Sequence, residues 1–369
     1  MASKKTNTDK KVTLDQLWGN LQNEHGDDKV LFASETPRIQ TMSTGIPSLD
    51  LKAIGRGGIP RGAITELFGE ESSGKTTVAL STIADAQRNG ETCAFIDLEH
   101  ALDRDYAQKL GIDLDKLRYI GVDLAEDALE IIEQLIDTGE VSLIVLDSIS
   151  ALITKREAEG EVGDANVGVV AKLMSQTLKR YTGKLKETNT SLVFINQLRE
   201  KVGVFFGSPE ITSGGKALQF YASLRIRVRK ELLREKDEVV GVKSTAKIVK
   251  SKIGQSFREG GFENRYGSGI QREANLIEQA ADFGLIEKKG GWFNIEGKSF
   301  RGKELGEALK GNPEGYRTVK DALYDFVLNG VVPEVNLADV IQGSTQAEAP
   351  IEGLDDNLDS ENSTESDED

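Results

Sequence analysis

Residues 69–76, Gly69-Glu70-Glu71-Ser72-Ser73-Gly74-Lys75-Thr76, fit the pattern G-x-x-x-x-G-K-[ST]. Glycines at both ends let the backbone bend until its N–H groups face an anion. A lysine at this position reaches the β- and γ-phosphates of a nucleoside triphosphate, and the threonine hydroxyl ligates Mg²⁺. The flanks separate this reading from a chance match: strand-like ITELF runs in and helix-like TTVALSTIADAQR runs out. Mg²⁺ also needs a carboxylate at the end of a neighbouring strand. VSLIVLD supplies Asp147, which by itself would be a solvated turn former or helix cap, but beside a phosphate loop is a metal ligand, directly or through water. Glu99, just past CAFID, lies at the carboxyl end of a strand, where open α/β sheets bind their ligands. It is a candidate to position or deprotonate an attacking water, against the plain alternative of a surface glutamate. His100, between acidic neighbours, reads as a structural hydrogen-bonding residue.

Elements able to hold these groups follow from the apolar pattern. From about residue 40, strand-like runs alternate with amphipathic stretches: ITELFG (64–69), helix 75–88, CAFID (93–97), helix 104–110, LRYIGV (117–122), helix 126–137, LIVLD (143–147), helix 168–187 and LVFIN (192–196). Continuously apolar strands alternating with helices predict a parallel sheet covered on both faces. After Ala222, LRIRVRK and AKIVKSK read as further strands. Residues 272–335 hold LIEQAADFGLI, a hairpin-like GGWFNIEG and EGYRTVKDALYDFVLNGV, and are expected to form a small C-terminal domain. Ahead of the core, Leu14, Leu17, Trp18 and Leu21 have helical spacing, and VLF at 30–32 reads as a short strand.

The composition narrows the classes. With 369 residues, 38% hydrophobic and 29% charged, the chain has material for roughly two to three domains. No run approaches the ~18 consecutive apolar residues of a membrane helix, so no membrane role is expected. One cysteine, Cys93, allows no internal disulfide, and the N-terminus lacks the apolar core of a secretory signal; a cytoplasmic location is the expectation. His25, His100 and Cys93 are too few for a structural zinc site. The net charge of −15 argues at first against nucleic acid. It is unevenly spread, however: residues 345–369 carry ten acidic and no basic side chains, two thirds of the excess. That tail is expected to be disordered, while KRYTGKLK (179–186), RIRVRK (225–230) and KSTAKIVKSK (243–252) are basic runs able to track phosphates.

GEESSGKTT (69–77), FIDLEHALD (95–103), LIVLDSISAL (143–152), EGEVGDANVG (159–168), LMSQ (173–176), FINQLREKVGVFFGSPEITSGGKALQFYAS (194–223) and KIVKSKIGQSF (247–257) together resemble the bacterial RecA recombinase family, in its order and spacing, over roughly residues 13–330. The resemblance implies an α/β P-loop NTPase core of RecA type with a mostly parallel sheet between helices. An N-terminal helix-strand arm would precede it and a small α+β C-terminal domain would follow. The expected divisions are a disordered 1–12, a polymerisation arm 13–39, an ATPase core with DNA-binding loops 40–271, a C-terminal domain 272–335 and an acidic tail 336–369.

The resemblance also implies roles. Gly69, Glu70, Glu71, Ser72, Ser73, Gly74, Lys75, Thr76 and Thr77 would bind ATP, with Thr76 and Asp147 on Mg²⁺ and Glu99 as the catalytic base. Gln197 would sense the γ-phosphate and pass its state to the next loop. Asp103, Tyr106, Tyr266 and Gly267 would flank adenine. Lys250 and Lys252, spaced for one face of a strand, would reach the γ-phosphate bound by a neighbouring subunit in a filament. Single- and double-stranded DNA would contact two loops, about 157–168 and 198–214, through Val167, Val202, Phe206, Thr212, Ser213, Gly214, Gly215 and Lys216. Lys172, Lys179 and Arg180 on the intervening helix would add phosphate contacts. Apolar loop residues can stack on bases, although the residues of VGVFF by themselves favour a buried core strand.

The sequence departs from the family's pattern in four places. Glu70 stands for a usual proline, Val167 for methionine, Lys172 for arginine and Lys216 for asparagine. A lysine keeps the charge but loses bidentate geometry.

The expected function is therefore a DNA-dependent ATPase that forms filaments on single-stranded DNA and exchanges strands in recombinational repair. Activation of repressor self-cleavage in the SOS response is a further expectation, as are single-strand-binding or loader partners. Two alternatives share the core: a hexameric helicase-like motor, and a non-catalytic recombination mediator.

Overall fold

The structure, a computed structural model, describes residues 12–27, 29–160, 168–200, 210–295, 297–334 and 336–342. Expectations for the extreme N-terminus, for Val167, Val202 and Phe206, and for the acidic run of 345–369 lie outside the described residues. The chain divides into two compact units, one ending at Gln40 and one beginning at Thr41.

In the first unit, α1 (Leu14–His25) starts on a capping box: the Thr13 hydroxyl accepts from the Gln16 amide, and the Gln16 side chain accepts from the Thr13 N–H. Trp18 stacks on Phe32 with ring centroids 5.3 Å apart. The strand expected at 30–32 does not form. A three-residue run has no strand edge to pair with among the described residues of this unit, and a helical turn at Ala33–Glu35 follows instead.

The second unit opens with β1 (Thr41–Met42), a π-helical turn at Ser48–Ile54 and β2 (Ile59–Pro60). Its core runs through β3 (Ile64–Gly69), α2 (Lys75–Arg88), β4 (Cys93–Asp97), α3 (Arg104–Lys109), β5 (Arg118–Gly121), α4 (Ala125–Thr138), β6 (Leu143–Asp147), α5 (Lys155–Glu159), α6 (Val169–Thr188) and β7 (Ser191–Glu200). It continues through β8 (Glu210–Thr212), α7 (Ala217–Tyr221), β9 (Leu224–Glu235), β10 (Glu238–Ser251), β11 (Glu259–Arg265) and β12 (Gly269–Ile270). The sheet order is β12-β11-β10-β9-β3-β7-β6-β4-β5, with β8 paired to the far end of β7. From β9 to β5 the strands are parallel; β10, β11 and β12 are added antiparallel.

Alternation explains why the inner strands are apolar throughout. In β6, Val145 faces one core with Val78, Ile83 and Ile195, while Ile144 and Leu146 face the other with Leu129, Leu178 and Tyr181. The helices α2 and α3 cover the first face, α4 and α6 the second.

The C-terminal part contains α8 (Arg272–Asp282), a three-stranded meander of β13 (Glu287–Lys289), β14 (Trp292–Ile295) and β15 (Lys298–Arg301), then α9 (Gly302–Lys310), α10 (Pro313–Asn329) and α11 (Leu337–Gln342). GGWFNIEG is thus the middle of a meander, its first turn made by Gly290 and Gly291 between the paired Lys289 and Trp292. Residues 337–342, expected within a structureless tail, instead form α11, because Leu337, Ala338 and Ile341 bury in the same apolar cluster as Leu305 and Leu323.

Two polar contacts fasten α10 to the core. Lys320 donates to both oxygens of Asp85 on α2, at 2.9 and 2.8 Å, and the Tyr324 hydroxyl donates to Asp50 at 2.6 Å. Asp50 is fully buried and also accepts from Ser43, from the Thr44 hydroxyl and from the Thr44 amide. Burial outweighs these bonds and pushes its carboxyl from 3.8 up to about 6. The folded chain then takes up this proton before the unfolded chain does as pH falls. Against Asp50→Asn, the wild type should gain stability from above pH 6 to below pH 4, by about 1.4 kcal/mol per pH unit between the two values. Melting of both proteins at about pH 7.5 and about pH 5 checks the sign: the stability of the wild type relative to the variant rises in acid, and a fall there would contradict the raised pKa.

Candidate active site

The phosphate loop joins β3 to α2, and Gly74 makes the turn in the left-handed region at φ 99°. The Lys75 ammonium donates to the Glu70 carbonyl at 2.6 Å. The Glu70 side chain itself is exposed. The Thr76 hydroxyl donates to Asp147 Oδ2 at 2.7 Å, so the two expected metal ligands already meet. They do so across an intervening strand, since β7 lies between β3 and β6; Asp147 is not on the strand adjoining the loop.

Glu99 stands beside this pair. Its Oε1 accepts from the Ser148 hydroxyl in a short hydrogen bond and from Gln197 Nε2 at 3.3 Å. Gln197 is not at the end of its strand as expected: β7 runs on to Glu200 and pairs with β8 through Leu198 and Thr212. His100 has its ring nitrogen 2.8 Å from Asp123, the structural role anticipated for it.

The electrostatics suit a cation and a polyanion. Burial lowers the Lys75 pKa, which Asp147, Glu99 and Glu71 partly restore. Burial likewise raises Asp147 to about 6, helped by the charges of Glu99 and Asp97 and opposed by Thr76 and Lys75. Asp97 is already saturated, accepting from the amides of Glu99, Ala101 and Leu102 and from the Tyr119 hydroxyl. Hard oxygen donors on Thr76 and Asp147 fit Mg²⁺, which is usually held by one or two protein oxygens together with substrate phosphates. Within the loop, the Ser73 hydroxyl is buried with no hydrogen-bond partner among the described residues.

Next to the loop, residues 72–77 line a cleft of about 410 Å³ with Tyr106, Val242, Ser244, Asn264 and Tyr266. The Tyr106 hydroxyl lies 3.1 Å from Thr77 Oγ1 and accepts from Asn264 Nδ2 at 2.9 Å. Tyr266 is exposed at the rim, followed by Gly267 at φ 82°. Asp103 caps α3 by accepting from the Tyr106 amide. Sequence reasoning missed Asn264, Ser244 and Ser148. Asn264 and Ser244 lie in antiparallel strands far along the chain, and no local spacing announces a contact across 158 residues; Ser148 adjoins Asp147 and could have been found from that neighbour alone.

The remaining candidates sit elsewhere. Lys172 and Lys179 are exposed on α6, and Arg180 is paired with Glu133 at 2.8 Å. Thr212 and Ser213 form the outgoing stem of the second loop, followed by Gly214, Gly215 and Lys216. Lys250 donates to the carbonyls of Gln219 and Phe220 at the end of α7. Lys252 lies just past the end of β10, and an irregular pairing between Ile248 and Lys250 breaks the simple alternation expected for the two lysines.

A family model of the RecA N-terminal domain matches residues 13–271. Protein RecA of Cutibacterium acnes is 46% identical over 320 residues, 85% of this chain and 92% of that protein. Protein RecA of Corynebacterium glutamicum strain R is 46% identical over 337 residues, covering 88% and 89%. Protein RecA of Streptomyces rimosus is 43% identical over 356 residues, 94% of each.

Proposed function

The chain belongs to the RecA family, and from that premise we propose that it is an ATP-driven DNA recombinase acting in recombinational repair. It assembles as a helical filament on single-stranded DNA, pairs that strand with a homologous duplex and exchanges strands. The observation that carries this reading is the bond from Gln197 to Glu99, since Gln197 stands on the strand that runs directly into the second loop. The group that meets the attacking water and the group that leads to the DNA contacts are therefore joined by one hydrogen bond.

Residues of this chain have distinct tasks. The loop amides and Lys75 hold the phosphates, and the cleft beside Tyr106 and Tyr266 takes the base. Thr76 and Asp147 would hold Mg²⁺, which would supply charge neutralisation on the phosphates. Glu99 accepts a proton from water as it attacks the γ-phosphorus, and the bond to ADP breaks. Gln197, released from Glu99, turns to a γ-phosphate oxygen. Lys250 and Lys252 serve the site of the adjoining subunit, and Lys172, Lys179, Lys216 and the two loops hold DNA phosphates and bases. Sequence is read by base pairing, so the protein needs only backbone, stacking and shape contacts. Cytoplasmic action, activation of a self-cleaving repressor and work with single-strand-binding or loader proteins belong to the same reading. Among the described residues no helix is long and apolar enough to cross a membrane.

Strand exchange between circular single-stranded and linear homologous duplex DNA, with ATP and Mg²⁺, tests the proposal. Joint molecules and nicked circles are the expected products. Rings in place of filaments by electron microscopy, or no rise in ATP turnover on adding single-stranded DNA, would overturn it.

A further inference from the structure

The strand that carries Gln197 also carries a buried amide that the nucleotide chemistry does not use. Asn196 is fully buried. Its Oδ1 accepts from the Ser213 amide at 3.1 Å, and its Nδ2 donates to the Ser213 carbonyl at 3.0 Å and to Glu66 Oε1 at 3.0 Å. A side chain that both donates to and accepts from one residue's backbone acts as a strand partner. β8 ends at Thr212, opposite Leu198; the Asn196 amide extends the pairing by one residue after the main-chain ladder stops.

The surroundings fix this bracket. Glu66 is fully buried in β3, and its other oxygen takes a hydrogen bond from Arg225 Nε on β9. A carboxylate only accepts, so the amide must turn its NH₂ towards Glu66, and a flipped amide would put two acceptors face to face. Residues after Ser213 are seated as well. A Cβ on Gly214 would lie 2.8 Å from Ile149 Cγ2, and one on Gly215 would lie 2.7 Å from the Ala171 Cβ; both glycines have positive φ. Ile149 lies two residues after Asp147. Ala171 stands in the first turn of α6, where the first loop ends. The Ser213–Gly215 stem is thereby packed against the metal-ligand strand's continuation and the base of the other loop.

Asn196 and Gln197 are consecutive, so their side chains leave β7 on opposite faces: one holds Ser213, the other reaches Glu99. We infer that Asn196 is a positioning residue that makes the outgoing stem of the second loop follow β7. A displacement of Gln197 at the nucleotide site then reaches the stems of both candidate DNA loops as one movement of packed parts. This rests on the proposed reading of those loops as DNA contacts and extends the coupling to a residue that touches neither nucleotide nor DNA.

The experiment compares wild type with Asn196→Ala for binding of a fluorescent oligothymidylate, with and without a non-hydrolysable ATP analogue. Coupled sites typically change each other's affinity by about 5–150-fold. The wild type should show a gain in that range, and Asn196→Ala should keep less than about threefold of it. Affinity for a fluorescent ATP analogue without DNA should stay within about twofold, since Asn196 makes no contact there. A full gain in the variant overturns the inference, whereas no gain in the wild type overturns the DNA reading itself. If Asn196→Ala does not fold, hydrogen exchange on the wild type decides. The Ser213 amide should exchange as slowly as those of β7, and exchange at the rate of an open loop overturns the bracket.

Discussion

Glu99→Gln should lower DNA-stimulated ATP turnover by about 10²–10⁴-fold, the range for loss of a positioned general base, while leaving nucleotide binding intact. The substitution is nearly isosteric, and its remaining carbonyl oxygen can still accept from Ser148 or Gln197, which both bond Glu99 Oε1. What it removes is basicity and one negative charge. That charge contributes to the raised pKa of Asp147, so its loss favours the ionised metal ligand and the bound triphosphate. The variant should therefore accumulate as an ATP-bound filament on single-stranded DNA, visible by electron microscopy, with phosphate release nearly abolished. The other carboxylates are poor substitutes for the role. Asp97 is saturated by three amides and a tyrosine hydroxyl, and Asp147 is committed to Thr76. Turnover within about tenfold of wild type would remove Glu99 from proton transfer.

The alternating core was legible because its physics is local. Strands buried on both faces must be apolar at every position, as LIVLD is, and the helices between them must show one apolar face. The phosphate loop was legible because its glycines, lysine and threonine are contiguous. Contacts closed by topology were not. Nothing in the sequence says that β7 inserts between β3 and β6, yet this insertion brings Gln197 to Glu99 and Asn196 to Glu66. Asn264 reaches Tyr106 only because β10 and β11 fold back antiparallel beside β9. The strand expected at VLF failed for the converse reason: three apolar residues have local propensity, but no partner edge among the described residues of their own unit. The helix at 337–342 was hidden because the composition of 336–369 is polar on average, while Leu337, Ala338 and Ile341 recur at helical spacing and bury.

Lys75→Ala should abolish ATP-driven filament formation and strand exchange. Removing a single preorganised charge-stabilising donor costs about 10²–10³ in rate, and here the same group also supplies ground-state affinity, so the loss in kcat/KM should exceed about 10³. The apo protein should tolerate the change. The Lys75 side chain is almost wholly buried, and burial is the larger influence on its ammonium, lowering its pKa against the attraction of Asp147, Glu99 and Glu71. Among the described residues its one hydrogen bond is to the Glu70 carbonyl, which lies on an exposed residue that water can serve. Binding and folding are therefore separable in one measurement. A ligand present at 100 times its Kd stabilises the native state by about 2.7 kcal/mol, which for a chain of this size raises Tm by about 3–4 °C. Wild type should show that rise on adding Mg²⁺ and ATP. Lys75→Ala should melt near the wild-type apo temperature and show no rise at the same concentration. A rise equal to that of wild type would mean that Lys75 does not hold phosphate, whereas a collapsed apo Tm would mean that the ammonium supports the empty site through its carboxylate neighbours. Glu99→Gln should behave oppositely in the same assay, with a rise at least as large as that of wild type, because it lightens the negative charge around the triphosphate and leaves Lys75, Thr76 and Asp147 in place. The pair of variants thus divides the site into a group that binds and a group that turns over, with a single thermal shift and a phosphate-release rate as the two readouts.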